Sequence, residues 1–576
     1  MRMLSTLVPS VWALCVSLAA QEAVAPFRFV PGDSCVVVRV AAPAKWKKQF
    51  AKTNVVKLFD GETLAPLIAQ AGMMFDASLE QLRGSGKFDV DLLQSLLKDY
   101  TGDIVFSLQI DFSDADAALK ADRPPAMSMV FALTPDGSYD LGALATALSN
   151  LIENEEQNRR PLKDLTVGDL RLRVAADGPM QGSVPFLHEG HLVMLMASDL
   201  EKEAARLLGT ADRYEGQADA RPLSAHAKLD GLVDLLMKAV TARMEEGGAP
   251  FDVKQMLQDL GVGSMKSMSV ALGAEDKHLV GELKFTVGEG ERGMFGALML
   301  DQARPKLLRL VPANSESFSV SAFDAGAVFQ VVRSIWEHMG EMVPITFEKA
   351  MEAFTETTKV KLQEELLAHL GTEMLAVGDA DAQLDAAALA DSEDPTAMLA
   401  GSCFGLALRN GKAFEESLEK VLRSRGLHAG RKSEDYADAK VHRMTLGGML
   451  ELEYVVTDDL LLIALGKDEA SRRNLRAVLD ARAKQGEGGE FVPAVATHIA
   501  AVPAGWSGVG ITPVSQGLEG ASAMFDVMPE MRMIPGMQQI LPVLKGLAGD
   551  LKRFGLQHAV GTTYTSARSF EYRARW

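Results

Sequence analysis

The sequence predicts an α+β protein made of two tandem homologous repeats, each an antiparallel sheet with helices packed on it. With 576 residues, the chain is too long for one ordinary hydrophobic core. The opening Val-Pro-x-Asx-Ser occurs at Val30 and again at Val311. Similar strands and helices follow each opening in the same order, and most strands alternate apolar with polar residues between hairpin turns.

Each opening leads into an apolar stretch that we predict to be the first strand of its repeat. Proline restricts φ there, and we expect the Asx and Ser side chains to close the turn. A helix, a glycine and a second strand come next, in "LLQSLLKDYTGDIVFSLQI" and in "KLQEELLAHLGTEMLAV". We expect Gly102 and Gly371 to end these helices as left-handed residues.

The later elements correspond as well. A strand, a turn at Asp136-Gly137 or Asn410-Gly411 and an amphipathic helix precede further alternating strands. These run into another helix, with Ser198 as the predicted N-cap in the first repeat, and each repeat closes with a hairpin. The strand predicted in "VPAGWSGVGIT" has no visible counterpart in the first repeat. The first repeat is therefore assigned to residues 27–310 and the second to residues 311–576.

The N-terminus, residues 1–20, has the pattern of a secretory signal peptide. Arg2 gives a short basic start, an apolar stretch follows, and small residues end it at Ala19-Ala20. We therefore expect an exported protein, located in the periplasm or outside the cell. No later stretch approaches eighteen uninterrupted apolar residues, so the mature chain is predicted to have no transmembrane segment.

The net charge of the chain argues against one class of partner. The formal net charge is −18, and cleavage of the signal peptide removes Arg2 and no acidic residue. So acidic a surface repels phosphate backbones, which argues against nucleic acid as a partner.

Cys35 and Cys403 are the two cysteines that remain after cleavage of the signal peptide. We expect two buried free thiols, although a disulfide between them stays open.

Two short motifs resemble ligand sites, and we interpret neither as one. "GEGERG", Gly288–Gly293, fits the dinucleotide pattern, but its two glutamates would face the pyrophosphate with like charge. "HEGH", His188–His191, lacks the one-turn spacing of a zinc helix and is predicted to be a hairpin tip. The sequence therefore offers no catalytic residue, no cofactor site and no metal site.

A methionine-rich segment is the one candidate contact surface. The sequence contains 28 methionines, and thioether side chains can repack against varied partners. Two prolines divide this segment and make burial within one regular helix less favourable. Copper binding and simple core packing are the alternatives. The candidate contact residues are Met524, Met528, Met531, Met533 and Met537.

The Pro-x-Asx-Ser turn, the step "LGTEMLAV" and the second opening "LLRLVPANS" resemble the bacterial exported proteins of the domain of unknown function 3352. Those proteins open with Leu-Pro-Ala-Asp-Thr, whereas Val-Pro and Ser stand here. The resemblance implies export and tandem α+β units, and it implies no activity or site residue.

The sequence therefore predicts an exported, non-catalytic protein that binds a partner protein, a cell-envelope component or an apolar ligand. The alternative is a hydrolase whose site is assembled from dispersed residues. The oligomeric state stays open.

Overall fold

The computed structural model describes residues 27–576, with the exception of several short ranges and of two longer ones. It confirms an α+β fold with antiparallel sheets. The predicted signal peptide, residues 1–20, lies outside the described residues. The ranges not described are 1–26, 86–89, 114–116, 119–120, 122–124, 138, 157–161, 176–179, 210–213, 215–220, 247–252, 290–291, 302–303, 340–342, 379–400, 447–449, 466–468, 485–491, 516–517 and 520–536.

The chain divides into two compact units. The first takes its described residues from 1–56, 65–240 and 266–285, and the second from 57–64, 241–265 and 286–576. Residues 286–310, which the sequence analysis assigns to the first repeat, therefore lie in the second unit. In the part of the chain that the structure describes, no helix combines the length and the apolar character needed to cross a bilayer.

The elements as far as residue 287 include the strands of the first unit's sheet, and the helix Val253–Asp259 among them belongs to the second unit. In chain order they are β1 (Val36–Ala41), α1 (Pro43–Phe50), α2 (Leu64–Ser85), α3 (Val90–Asp99), β2 (Asp103–Ile110), β3 (Met127–Leu133), α4 (Leu141–Glu156), β4 (Leu162–Val167), β5 (Leu170–Ala175), β6 (Gln181–Ser183), β7 (Phe186–His188), β8 (His191–Ala197), α5 (Leu200–Leu208), β9 (Leu223–Lys228), α6 (Asp230–Glu246), α7 (Val253–Asp259), β10 (Met265–Glu275) and β11 (His278–Val287).

The sheet of the first unit is antiparallel, with the strand order β10–β9–β1–β2–β3–β8. Both β6 and β7 pair with β8, and β5 and β4 continue from β6. Pro185 separates β6 from β7, because proline has no backbone N–H for the ladder. Helix α4 packs on β7 and β8, and α5 packs on β4, β6 and β8.

The remaining elements build the second unit. In chain order they are α8 (Met294–Leu298), a 3₁₀ helix (Lys306–Leu310), β12 (Ser317–Ala322), α9 (Ala325–His338), α10 (Phe347–Thr358), α11 (Leu362–Glu365), β13 (Leu370–Gly378), β14 (Ser402–Leu408), α12 (Gly411–Ser424), β15 (Lys432–Tyr436), β16 (Ala439–Leu446), β17 (Leu450–Val456), β18 (Leu460–Leu465), α13 (Glu469–Ala483), α14 (Pro493–Ala501), β19 (Gly508–Pro513), α15 (Met537–Arg553), β20 (His558–Ser566) and β21 (Ser569–Arg575).

The sheet of the second unit is also antiparallel, with the order β21–β20–β19–β12–β13–β14–β18–β17–β16–β15. Strand β19, which contains the end of "VPAGWSGVGIT", lies between β12 and β20. In the first unit β9 lies in the same way between β1 and β10. The expectation that the first repeat lacks this strand is therefore wrong. Sequence comparison missed β9 because its "LSAHAK" is polar where β19 is apolar.

The two Val-Pro openings form the same turn. The Ser34 N–H donates to the Pro31 carbonyl oxygen at 3.1 Å, and the Ser315 N–H donates to that of Pro312 at 3.0 Å. The backbone thus closes the turn, where side-chain closure was expected. Asp33 instead accepts hydrogen bonds from Arg206 and Gln109.

Gly102 and Gly371 are glycines for a reason other than the predicted one. Neither has the positive φ of a left-handed residue, so the prediction of left-handed helix ends is wrong. A Cβ on Gly102 would overlap the Thr134 carbonyl oxygen and the Tyr100 hydroxyl, and one on Gly371 would lie 2.8 Å from Ala407 Cβ. Close backbone approach, which only glycine permits, explains both positions.

Two other local predictions have clear outcomes. The N-cap of α5 is Asp199, whose side chain accepts from the Lys202 N–H at 3.0 Å, and Ser198 is not the cap. Cys35 and Cys403 are free and buried, and burial raises the pKa of the Cys403 thiol to about 12. We therefore do not expect either thiol to act as a nucleophile.

Replacement of Gly102 by alanine tests the close-approach explanation. We expect Gly102→Ala to lower the free energy of unfolding by about 2 kcal/mol or more, because the new Cβ overlaps two buried groups. Gly72→Ala in α2 is the matched control: its Cβ meets nothing within 4 Å, so it should be neutral or stabilise by up to ~1 kcal/mol. Urea unfolding measures both. Equal effects of the two substitutions would contradict the explanation.

Candidate functional site

The predicted methionine contact surface lies mostly outside the described residues. Met524, Met528, Met531 and Met533 are not described, and Met537 is described only as the first residue of α15. The contact-surface hypothesis therefore stays a prediction.

The "HEGH" segment is the hairpin tip that the sequence predicts. His188 ends β7 and His191 begins β8, with Glu189 at φ 50° and Gly190 at φ 82° between them. The buried His191 ring packs edge-on against Phe29 at 4.8 Å between ring centroids. Among the described residues no group of three or more His, Cys, Asp or Glu could hold a metal ion.

A candidate site is a pocket of about 180 Å³ in the first unit. It lies on the face of β1, β9 and β10, and it combines aromatic, charged and hydroxyl side chains. Its principal lining residues are Phe27, Val37, Arg39, Tyr214, Ser224, His226, Ser269, Ala271 and Glu282.

Strand register brings the pocket residues together. On β9, His226 lies opposite Val37 of β1 and opposite Ser269 of β10. One step along, Ser224 lies opposite Arg39 and Ala271. Because side chains two residues apart share a face, both rows project into the same space. The pocket is therefore a direct product of three paired strands.

The charged groups of the pocket are paired. Arg39 Nε donates to Asp103 Oδ2 at 2.8 Å, and only 12% and 7% of these side chains are exposed. Burial raises the pKa of Asp103, and the Arg39 guanidinium opposes that shift. Glu282 pairs with Arg221 at 2.5 Å. The charges of the two lining residues, Arg39 and Glu282, are therefore each compensated by a partner.

A histidine and two aromatic rings form the other side of the pocket. His226 Nδ1 lies 2.9 Å from Ser269 Oγ, and its ring centroid is 5.9 Å from that of Tyr214. Tyr214 meets Phe27 edge-on at 5.1 Å. Burial, together with the charge of Lys228, lowers the pKa of His226, which favours its neutral form. The rings of Phe27, Tyr214 and His226 make this side of the pocket aromatic.

The corresponding face of the second unit has no such lining. Val320 stands where Arg39 stands in the first unit, Ile511 where His226 stands, and Val560 where Ser269 stands. Val320 and Ile511 belong to the main buried cluster, against which Val560 packs. Helix α14 packs on β19 and β20. The same three positions thus carry packed apolar side chains in one unit and polar, pocket-lining side chains in the other. Buried Thr562 and His498 are polar groups on the packed face.

Sequence reasoning missed every pocket residue. The signal was present, because Arg39 interrupts the apolar strand "VVVRVA" and "LSAHAK" is polar at alternate positions. A polar residue at a core-facing position usually has a partner or a function. Recognising these positions as core-facing required the pairing of β9 with β1, which the sequence does not reveal.

Comparisons with known proteins give little further information. No family model and no curated protein matches the chain. Crystal structures of TP0453 are similar over part of the chain: form IV at 8% identity, form III at 10% and form I at 8%. They cover 46–47% of this chain and 81–82% of TP0453, with a TM-score of 0.21. A similarity at that TM-score supports no conclusion about this protein.

Acid should destabilise the filled face of the second unit. On α14, His498 is buried beside Thr562, and burial with the nearby Arg575 charge lowers its pKa to about 4. The unfolded chain, with a histidine pKa near 6.5, binds that proton more readily. We therefore expect the free energy of unfolding to fall by up to ~3 kcal/mol as pH drops from 6.5 to 4.

Substitution separates this effect from that of other histidines. Urea unfolding at pH 7 and pH 4 should show a smaller loss of stability for His498→Leu than for the unsubstituted chain. His428→Leu, at an exposed residue of the same unit, is the control and should leave the pH dependence unchanged. An unchanged loss in His498→Leu would show that another group carries it.

Proposed function

We propose that the protein is an exported, non-catalytic binding protein and that the pocket of the first unit holds its ligand. The observation that carries the proposal is the contrast between the two sheets. A face that is filled by apolar side chains in the second unit is polar and incompletely filled in the first. Polar groups at core-facing positions cost stability unless they serve another purpose, and ligand binding is such a purpose.

The size and lining of the pocket define the ligand. A volume of about 180 Å³ corresponds to ~6 water molecules and is smaller than the pockets that hold drug-sized ligands. A small molecule fits it, and so does one protruding ring of a larger cell-envelope component. The hydroxyl, imidazole and guanidinium groups favour a polar ligand over the apolar one that the sequence analysis considered.

The proposal includes a duplication. We infer that the two units descend from one ancestral unit, because β10–β9–β1–β2–β3–β8 and β20–β19–β12–β13–β14–β18 have the same order and the same direction of pairing. The identical Pro-to-Ser turns before β1 and β12 add support. In this view one copy kept a closed core and the other acquired a site. Export rests on the signal-peptide pattern and on the resemblance to the domain of unknown function 3352.

A hydrolase is the second candidate, and one observation favours it: His226 lies within hydrogen-bond distance of Ser269 in the pocket. Two observations weigh against it. The same cross-strand contact occurs between Ser433 and His442, at 2.8 Å, on β15 and β16 away from the pocket. Ser269 also lies inside β10, whose backbone pairs with β9, so nearby N–H groups are not free to form an oxyanion hole.

Ligand binding tests the favoured proposal. Small polar molecules that raise the melting temperature of the mature chain should lose at least ~10-fold in affinity with His226→Gln, because the pocket then loses its imidazole. His442→Gln removes the other serine-paired histidine and should bind as the unsubstituted chain does. Isothermal titration calorimetry measures each affinity. Equal affinities in both variants would place the ligand elsewhere.

Ester hydrolysis tests the second candidate. We expect the mature chain to hydrolyse p-nitrophenyl acetate no faster than buffer with an equal histidine concentration, because the β10 backbone around Ser269 is engaged in the pairing with β9. Ser269→Ala and Ser433→Ala should then behave alike. A rate above background that Ser269→Ala abolishes and Ser433→Ala retains would establish the hydrolase and refute the non-catalytic proposal.

A further inference from the structure

The pocket of the first unit also indicates the chemical class of its ligand. Resting on the proposed function, we propose that the pocket binds one neutral, polyhydroxylated ring, that is, a single sugar residue. Three properties of the lining residues carry this inference: the balance of charge, the mixture of donors and acceptors, and the arrangement of aromatic and apolar surface.

The charges of the residues that line the pocket are balanced, which disfavours an ion as the ligand. A bound carboxylate or phosphate requires a cation whose charge is not already compensated, but Arg39 pairs with Asp103 and Arg221 pairs with Glu282. A bound amine requires an uncompensated carboxylate, and Glu282 has the Arg221 partner. A charged ligand would therefore lose its hydration without gaining an opposite net charge. A neutral ligand meets no such cost.

The polar groups match hydroxyl groups in particular. Ser224, Ser269 and Tyr214 line the pocket with hydroxyls that both donate and accept. The planar guanidinium of Arg39 adds hydrogen-bond donors, and the planar carboxylate of Glu282 adds hydrogen-bond acceptors. A ligand that satisfies such a mixture must itself donate and accept at several adjacent positions. Vicinal hydroxyl groups on a ring do so, whereas an aliphatic or simple aromatic ligand does not.

The apolar part of the lining matches the C–H faces of a sugar ring. Phe27, Tyr214 and His226 form a continuous aromatic series, with centroid separations of 5.1 and 5.9 Å. Val37 and Ala271 add aliphatic surface on β1 and β10. A pyranose has polar edges and apolar C–H faces, so it can contact both kinds of surface at once. The volume of about 180 Å³ is suited to one such ring.

Ligand-observed NMR on the full mature chain tests the inference. The neutral probes are methyl α-D-glucopyranoside, methyl α-D-mannopyranoside, methyl β-D-galactopyranoside and N-acetylglucosamine. The charged probes are methyl phosphate, acetate and ethylammonium, which all carry C–H protons that saturation transfer detects. We expect saturation transfer to at least one neutral sugar and to none of the ions. Comparison of N-acetylglucosamine with its tetramer distinguishes a free monosaccharide, bound equally well, from a glycan, bound more tightly as the tetramer.

Variants place the bound sugar in the pocket. Tyr214→Ala should weaken sugar binding by ~3- to 10-fold, because it removes an aromatic contact and a hydroxyl. Ser224→Ala is a smaller change that should also weaken binding without disturbing the fold, and His442→Gln should leave it unchanged. Equal affinity of a sugar for the unsubstituted chain and for all three variants would show that the sugar does not bind in the pocket.

The outcomes separate this inference from the proposed function. Binding of methyl phosphate, acetate or ethylammonium in preference to every sugar, with loss in Tyr214→Ala, would overturn the ligand class and leave the binding function standing. Absence of binding for every neutral and charged probe would overturn the sugar assignment. If the wider set of polar molecules tested by melting temperature also failed to bind, the proposed function would fail with it.

Discussion

Pairing of β9 between β1 and β10 is the constraint on which the candidate site depends. The antiparallel ladder places His226 opposite Val37 and Ser269, and it leaves no choice about which side chains share that face. A shift of one residue would turn all of these groups to the other face. The second unit uses the same pairing of β19 with β12 and β20, so the difference between the units lies in side chains.

Each unit has a buried carboxylate opposite the last residue of its β1 or β12 strand, and the two carboxylates have different partners. Asp103 lies opposite Ala41 in the first unit, and Glu373 lies opposite Ala322 in the second. Asp103 is neutralised by the Arg39 guanidinium across the strand pair. Glu373 accepts the Leu307 N–H at 2.9 Å, and Val320 occupies the position of Arg39. The acid thus pairs with a guanidinium in the first unit and accepts a backbone N–H in the second.

The segments that pack against the sheet decide whether its inner face is filled by side chains. In the second unit α14 brings Val495 against the strands, together with Leu307 and Leu308 from the 3₁₀ helix, and these side chains complete the core. In the first unit Phe27 and Tyr214 approach the corresponding face, pack with Val37, and leave a cavity beside Arg39 and His226. Apolar side chains that pack closely on the sheet stabilise the folded state. Polar side chains around a cavity leave room there for water or a ligand.

Local sequence was sufficient for much of the fold. Alternation of apolar and polar residues predicted antiparallel strands, the Val-Pro openings predicted the start of β1 and of β12, and Glu189-Gly190 predicted the turn between β7 and β8. These features depend on residues close together in the chain, so their physical causes are visible there. The roles of Gly102 and Gly371 were misjudged, because the groups they approach, Thr134 and Ala407, are more than thirty residues away.

The candidate site could not be predicted from the sequence for the same reason. Arg39, His226 and Ser269 come from strands separated by long stretches of chain, and only the sheet brings them to one face. The amino-acid sequence by itself determined the strands, the turns, the acidic charge and the polar character of "LSAHAK". The tertiary structure decided that this polarity faces a cavity, since a side chain's environment depends on which strands pair and on what covers them.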